Sequence, residues 1–545
     1  MGLGVLEVPA TRHVPGTATL EDLSGRTTST ASLYNVKRSK GGIILVPQPS
    51  DDPHDPLNWP LWQRDLITCV LSGVAVLGAA LTSIMAANNI TYFLWFKGIS
   101  FTDMAMLTGW HLLGIGVGGP VFVASARIWG KRHLYLLGTL VIILSSVWAG
   151  CSGHSYESMV AARFFQGIGL APFEALINAT VGDLYFVHES GKRMALTNMS
   201  LFGSSFFAPI IVGRMTLAIG WQWSFWLVAI FTAVLLPAVI LFCPETAYIR
   251  DDDPDLTPTE CSSGSIDMSP DSEKKNDAQF AEHVVDQTSQ RNKRVKFLSR
   301  ESLLPFNGRK TDEAFWKPFL RPFPMFLHPT VLWGCLIQGT AIAWTVLVGV
   351  MMAFVAIQWS FNEADTGYLY TGGFIGALLG MVFSGLLSDS SAKWLTKLNG
   401  GTYEPEFRML LILPLLIFGA GGLYGFGITA SDKSYGYVLV DVFFGWLCGG
   451  MVFGTVATAL YIVDALRETT VEAFTCLLLF KNVFAFGVCY SGYTWLQESS
   501  VRDLFVTIAS VEVGICALTI PMYLFGKKSR HFFAQHDVLA FFKLR

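Results

Sequence analysis

Apolar residues along this chain come in long blocks, and polar residues are confined mostly to the breaks between them. Six blocks fall near residues 66–88, 105–125, 134–152, 158–181, 196–217 and 223–243. Six more fall near 330–354, 367–388, 408–429, 435–459, 472–494 and 503–525. At about 1.5 Å of rise per residue, each is long enough to cross about 30 Å of hydrocarbon as an α-helix. The blocks lack the polar–apolar alternation over about ten residues that a membrane barrel needs. The pattern predicts an all-α membrane protein of twelve transmembrane helices in two sets of six.

The breaks set the domain plan. Residues 1–60 are polar and rich in Ser, Thr, Gly and Pro, and are expected to form a disordered cytoplasmic tail. Within it Asp55-Pro-Leu-Asn-Trp-Pro60 is suited to the headgroup level, where it would fix the entry of the first helix. Six-helix bundles are expected over 61–243 and 326–526. Residues 244–325 form a polar cytoplasmic linker with a basic cluster at 291–296 and an aromatic stretch, Phe315–Phe326, suited to the membrane surface. Residues 527–545 are expected to be a cytoplasmic tail. The first apolar block begins near Leu66, too late for a signal peptide, so it is expected to be a retained span.

Basic residues orient the plan. With both termini inside, the inner loops hold Arg127, Lys131, Arg132, Lys192, Arg193, Lys393, Lys397, Arg408 and Arg467, while the outer loops hold Lys97, Lys433 and Arg502. That bias satisfies the positive-inside rule. Asn89-Ile-Thr91 is then a glycosylation sequon on the outer side.

Composition narrows the function classes. Charged residues are 14% of the 545, against about 25% in soluble domains. The net charge of −3 and the absence of a basic, aromatic-interleaved surface set nucleic-acid binding aside. Nine cysteines are scattered, mostly inside apolar blocks, and read as small buried hydrophobes. No Walker sequence and no His/Cys cluster with ligand spacing is present, so neither a cofactor nor a metal is expected.

The charges inside the spans carry the most information, because an ionisable side chain there marks a functional site by default. Span four carries Arg163 and Glu174, eleven residues or about three turns apart and so nearly on one face, with Asn178 a turn beyond. This face is expected to line a water-filled cavity. Asp441 in span ten and Lys481 in span eleven, beside Asn482, either pair with one another or line the cavity separately. Glu512 lies near the middle of span twelve, as a substrate or proton site or as a protonated structural acid. His111 in span two is a weaker proton carrier. Trp344, Tyr370 and Tyr437 are suited to cation–π contact or to packing. Glycine stripes at Gly114–Gly119 and Gly372–Gly380 occupy matching spans two and eight, as two similar rocking halves would require.

Several motifs carry a family resemblance. Arg163-Phe-Phe-Gln-Gly-Ile-Gly169 resembles the fourth-span motif of major facilitator proteins, and Gly385-Leu-Leu-Ser-Asp389 the core of their loop motif. In the first-half copy of that loop Arg127 occupies the acidic position. Asp55–Pro60, Asp183–Glu189, Gly220–Trp226, Pro244–Thr246 and Tyr461–Asp464 with Lys481-Asn482 resemble fungal members of the proton-antiporter-like branch. Ala208-Pro-Ile-Ile-Val-Gly213 keeps only part of that branch's antiporter motif. The chain is most similar to fungal plasma-membrane importers of polyamines and related cations. The resemblance implies a major facilitator fold, a monomer, and proton-coupled uptake of a cation with Glu174 as its contact and Asp441 sharing the proton coupling. Arg163, Lys481, Asn482, Asp389 and Arg127 are expected as structural or gating groups. Export of toxic organic cations against protons is the alternative.

Overall fold

The computed structural model describes residues 4–6, 16–19, 47, 49–50, 52, 54–248, 304–306 and 308–544. Among them twelve helices are long and apolar enough to span a membrane. The first six are α1 (Leu61–Trp95), α2 (Phe101–Trp129), α3 (Arg132–Gly150), α4 (Tyr156–Leu184), α5 (Glu189–Ile219) and α6 (Gln222–Phe242). The second six are α7 (Pro329–Trp359), α8 (Glu363–Leu398), α9 (Pro405–Ser431), α10 (Tyr437–Ala465), α11 (Arg467–Glu498) and α12 (Val501–Phe541).

Each span matches an apolar block, but most run past its ends. The reason is capping, which uses polar residues that hydropathy counts as loop. Ser100 and Asp103 form a reciprocal capping box that starts α2. Ser155 and Ser500 accept backbone N–H groups at the starts of α4 and α12. The largest difference is at the C-terminus, where helix continues through Gln535 although 527–545 were expected to be tail. There Arg530 is fixed to Glu404 at 3.1 Å and to Glu406 at 2.8 Å.

The spans form two six-helix bundles. In the first, α4 packs against α2 and α3, and α1 against α5 and α6. In the second, α10 packs against α7, α8 and α9, and α7 against α11. The halves meet along α2 and α11, and again between α5 and the first turns of α8. Glycine sets these distances. A Cβ on Gly119 would lie 2.2 Å from the Leu478 side chain of α11, and one on Gly376 would lie 2.0 Å from the Gly445 carbonyl of α10. The small-residue stripes thus serve close helix approach, both within a half and between halves.

Both chain ends lie at one face of the bundle, called here the tail face. A two-residue strand β1 (Ala18–Thr19) pairs antiparallel with β2 (Thr402–Tyr403) between α8 and α9. The Thr17 hydroxyl donates to Glu404 at 2.7 Å. The end of the linker forms two short helices, Trp316–Leu320 and Pro322–Met325. Phe315 stacks on Trp129 at the tail end of α2, while Trp316 and Phe323 stay exposed. The basic cluster at 291–296 and most of the N-terminal tail lie outside the described residues. The eight described cysteines are free; Cys69 and Cys151 are exposed on the outer wall, which corrects the uniformly buried reading.

Candidate functional site

The two halves enclose a cavity lined from both sides. The first half contributes residues such as Thr82, Leu112, Glu174, Phe202 and Ser205, and the second Thr345, Gly349, Tyr370, Phe444, Lys481 and Asn482. The cavity volume is about 150 Å³, many times what a single water needs, so there is room for a small organic molecule. Most of the lining is apolar, and Glu174 and Lys481 are its two charged residues among those described.

These two residues meet. Lys481 of α11 donates from Nζ to Oε1 of Glu174 on α4, an ion pair that joins the halves across the cavity. The ammonium also lies 5.9 Å from the ring centre of Phe202 on α5, within cation–π range. Lys481 therefore pairs with Glu174, which removes the open possibility of a Lys481–Asp441 pair. Asn482 lines the cavity beside it, its amide donating to the Leu478 carbonyl at 2.9 Å. Phe202 has no sequence signal, since a phenylalanine inside an apolar block reads as packing.

Arg163 does not share the cavity, contrary to the one-face reading of span four. It is fully buried inside the first half. Its guanidinium donates to the Leu81 carbonyl at 2.7 Å, the Leu107 carbonyl at 3.1 Å and Gln166 at 2.8 Å. Leu81 lies in the last turn of the helical segment Leu61–Ser83, where carbonyls lack an intrahelical donor. The long side chain turns inward to that acceptor, although its Cα is on nearly the same face as Glu174. His111 is buried nearby and meets the cavity-lining Thr82 at 3.2 Å. Asn178 lies one turn from Glu174, bonded to Asn198 at 2.9 Å and accepting from Thr197 at 2.8 Å. Gly182, one turn further along α4, is exposed, with nothing near a Cβ placed there.

The remaining candidates lie in the second half. Tyr370 lines the cavity and donates to the Gly349 carbonyl at 2.6 Å. Asp441 sits one layer behind, accepting the Gly372 N–H at 3.0 Å where α8 resumes after Tyr370. Glu512 is buried between α12 and α7, accepting from Thr340 at 2.8 Å and from the Trp344 indole at 3.0 Å. Glu512 and Trp344 are thus brought together outside the cavity lining. Tyr437 is exposed, edge-on to Phe361. Asn89 of the sequon lines the cavity, at the start of the last segment of α1, Asn89–Trp95.

Charge contacts bracket the cavity. At the tail end Arg127 pairs with Glu472 of α11, a second ionic tie between the halves. Arg127, where the loop motif has an acid, thus takes its acid from the other half. At the opposite end Thr91 donates to Glu363 of α8 at 2.6 Å. Glu245 accepts the backbone N–H groups of Lys131 and Arg132 at 2.9 and 3.1 Å, anchoring the first-half loop. Gly130 makes room for it, having φ 90° and a position where a Cβ would fall 2.2 Å from that carboxylate. In the second half, Asp389 lies 3.7 Å from Arg408, which also holds Asp464 at 3.3 Å. Burial and the Asp464 carboxylate raise the Tyr403 hydroxyl above its ordinary range, which keeps it a donor to Asp464. Glu472 and Glu363 escaped the sequence reading because they stand at block ends, where charge looks like solvated loop, and Glu245 entered it only within the motif Pro244–Thr246.

Two six-helix bundles around a central cavity, tied by contacts at both ends, define an alternating-access transporter. The chain belongs to the Major Facilitator Superfamily, whose profile matches residues 66–525. This is a transport family, not a catalytic one. The chain is 25% identical to "Protein HOL1" of Saccharomyces cerevisiae, covering 95% of each chain. It is 25% identical to "Uncharacterized MFS-type transporter C1271.10c" of Schizosaccharomyces pombe, covering 93% of this chain and 91% of that one. With "MFS transporter cpaT" of Aspergillus oryzae it shares 24% identity over 88% of this chain and 90% of that one. In fold it is similar to a D-xylose–proton symporter, with TM-score 0.57 and 13% identity over 85% of this chain and 99% of the symporter. A POT family transporter bound to a thioalcohol-conjugated peptide gives TM-score 0.55 and 16% identity over 85% and 96%. At such identities the likeness is one of fold alone.

Proposed function

We propose that this protein takes up organic cations, polyamines or related amines, together with protons, by alternating access. One observation carries the reading: among the described residues, Glu174 is the only carboxylate lining the cavity. A cation entering an apolar chamber needs an anionic partner, and Glu174 is that partner. Asp441, which has no cationic partner among the described residues and accepts the Gly372 N–H two residues from the cavity-lining Tyr370, is the proposed site of the co-transported proton. In this reading the protein acts as a monomer in the plasma membrane with its tail face inside, as the basic loops of that face and the resemblance to polyamine importers favour.

The test is uptake of radiolabelled spermidine into proteoliposomes with and without an inward proton gradient. Wild type is expected to accumulate it saturably and only with the gradient. Glu174→Gln is expected to lose accumulation while keeping its gel-filtration profile and insertion. Unchanged uptake by correctly inserted Glu174→Gln sinks the assignment.

A second reading, export of hydrophobic cations in exchange for protons, is favoured by the charge count of the cavity. Glu174 and Lys481 together are neutral, so an added cation leaves one net positive charge in apolar surroundings. Departure of a proton as the cation enters would restore neutrality, and that is exchange rather than symport. A lumenal pH dye separates the two: cation added outside acidifies the lumen under symport and makes it alkaline under exchange.

A further inference from the structure

Lys481 reaches its site from the wrong side. The carboxylate of Glu174 and the ring of Phe202 both belong to the first half, on α4 and α5, whereas the ammonium arrives from α11 of the second. Both charged residues are largely enclosed, with side-chain exposures of 8% for Lys481 and 17% for Glu174. Only Oε1 of Glu174 is engaged; Oε2 has no partner among the described residues. A carboxylate with one free oxygen beside an aromatic face, opening on a cavity, is a receptor for an alkylammonium ion.

We propose that Lys481 is a tethered occupant of the substrate's own ammonium subsite, and that this subsite takes a primary alkylammonium group. The inference rests on the reading that Glu174 contacts a transported cation, and it specifies the chemistry of that contact. The lysine head shows what fits: three N–H donors on a slim alkyl stem, one of them spent on Oε1. A quaternary ammonium has no N–H to give that oxygen and is wider. An incoming amine must displace Lys481, and in doing so it breaks the ionic tie that joins the halves at the cavity. Binding is thereby linked to the freedom of the halves to rock.

Removing the tether should leave the subsite vacant and fillable from solution. The probes are n-propylammonium, tetramethylammonium and sodium chlorides at equal ionic strength, read by the thermal melting of the full-length protein in detergent. Lys481→Ala is expected to melt below wild type and to be restored saturably by propylammonium, but not by tetramethylammonium or sodium. A short tether presents its head at an effective concentration on the order of millimolar, so wild type should respond only at higher propylammonium than Lys481→Ala. Glu174→Gln/Lys481→Ala should not respond. Absence of rescue in Lys481→Ala, or equal rescue by tetramethylammonium, overturns the inference.

The wild-type chain supplies a reading that depends on no variant folding. Propylammonium should raise acetylation of Lys481 relative to the exposed Lys528 by peptide mass spectrometry, because displacement frees the lysine head. An unchanged ratio at saturating propylammonium overturns the inference. Cation transport without rescue overturns this inference alone, and rescue without any cation transport overturns the earlier functional reading alone.

Discussion

Helix α4 carries two charges three turns apart, Arg163 fully buried and Glu174 facing the cavity, and the protein treats them in opposite ways. Around Arg163, every acceptor comes from the first half: two backbone carbonyls on neighbouring helices and Gln166 on its own. Around Glu174, the partner comes from the other half and one carboxylate oxygen stays open to a cavity. A charge satisfied within one rigid body can stay paired while the bodies move. A charge satisfied across two bodies has to exchange partners whenever they separate. The first arrangement holds a bundle together, and the second is suited to a working cycle.

The largest effect should come from breaking the first arrangement. Hydrogen bonds to a charged group are worth roughly 1.5–3 kcal/mol each, and Arg163→Ala removes three at once. It also strands the Leu81 carbonyl, which lies at a helix end inside the first half. Loss of folded, monodisperse protein in detergent is expected, measured by gel filtration and thermal melting. Arg163→Lys keeps the charge but not the fork that reaches two helices, so it should recover only part of the loss. A well-folded Arg163→Ala that fails only in transport would place Arg163 with Glu174 and erase the contrast.

Glu512 offers a sharper cut at smaller cost. It resembles Arg163 in being satisfied inside one half, through Thr340 and the Trp344 indole. Glu512→Gln keeps an acceptor for both donors and should melt within about 1 kcal/mol of wild type. Glu512→Ala strands two buried donors and should cost about 1–3 kcal/mol. Both should retain gradient-driven transport in proportion to folded protein. If Glu512→Gln folds fully but no longer couples transport to the proton gradient, Glu512 belongs with the working charges.

The sequence reading and the structure part company along this same division. The spans were legible because a run of apolar residues reports the medium around it, and each block has its helix. Their ends were not, because Ser100 and Asp103 cap α2 with side chains that count as polar loop. The roster of intramembrane charges was also legible. Their partners were not, since pairing depends on which helices are neighbours. The spacing of Arg163 and Glu174 argues for a shared face, yet it says nothing of a long side chain that bends back to a helix-end carbonyl. By sequence Lys481 had Asp441 as its possible partner, and only the packing of α11 against the first half brings it to Glu174 instead. The glycine stripes in spans two and eight pointed correctly to close approach, because backbone proximity is a property of the residue itself.

The smallest and most reversible effect is expected at the tail end, where Arg127 meets Glu472 across the halves. The Arg127 side chain is 41% exposed and that of Glu472 only 6%, so solvent screens the pair from the Arg127 side alone and its worth is on the order of 1 kcal/mol; glutamine keeps an acceptor for the guanidinium. Glu472→Gln should therefore leave folding intact and shift only the balance between conformations. Since the pair lies at one end of the cavity, weakening it favours states in which α2 and α11 separate there. Labelling of cysteines placed along that end of α2 and α11 should become faster in Glu472→Gln, and slower again in Arg127→Glu/Glu472→Arg, which restores the pair with its charges exchanged. Equal labelling in all three would mean that the contact is a passive surface pair. The ionic control of alternation would then rest with Glu174 and Lys481.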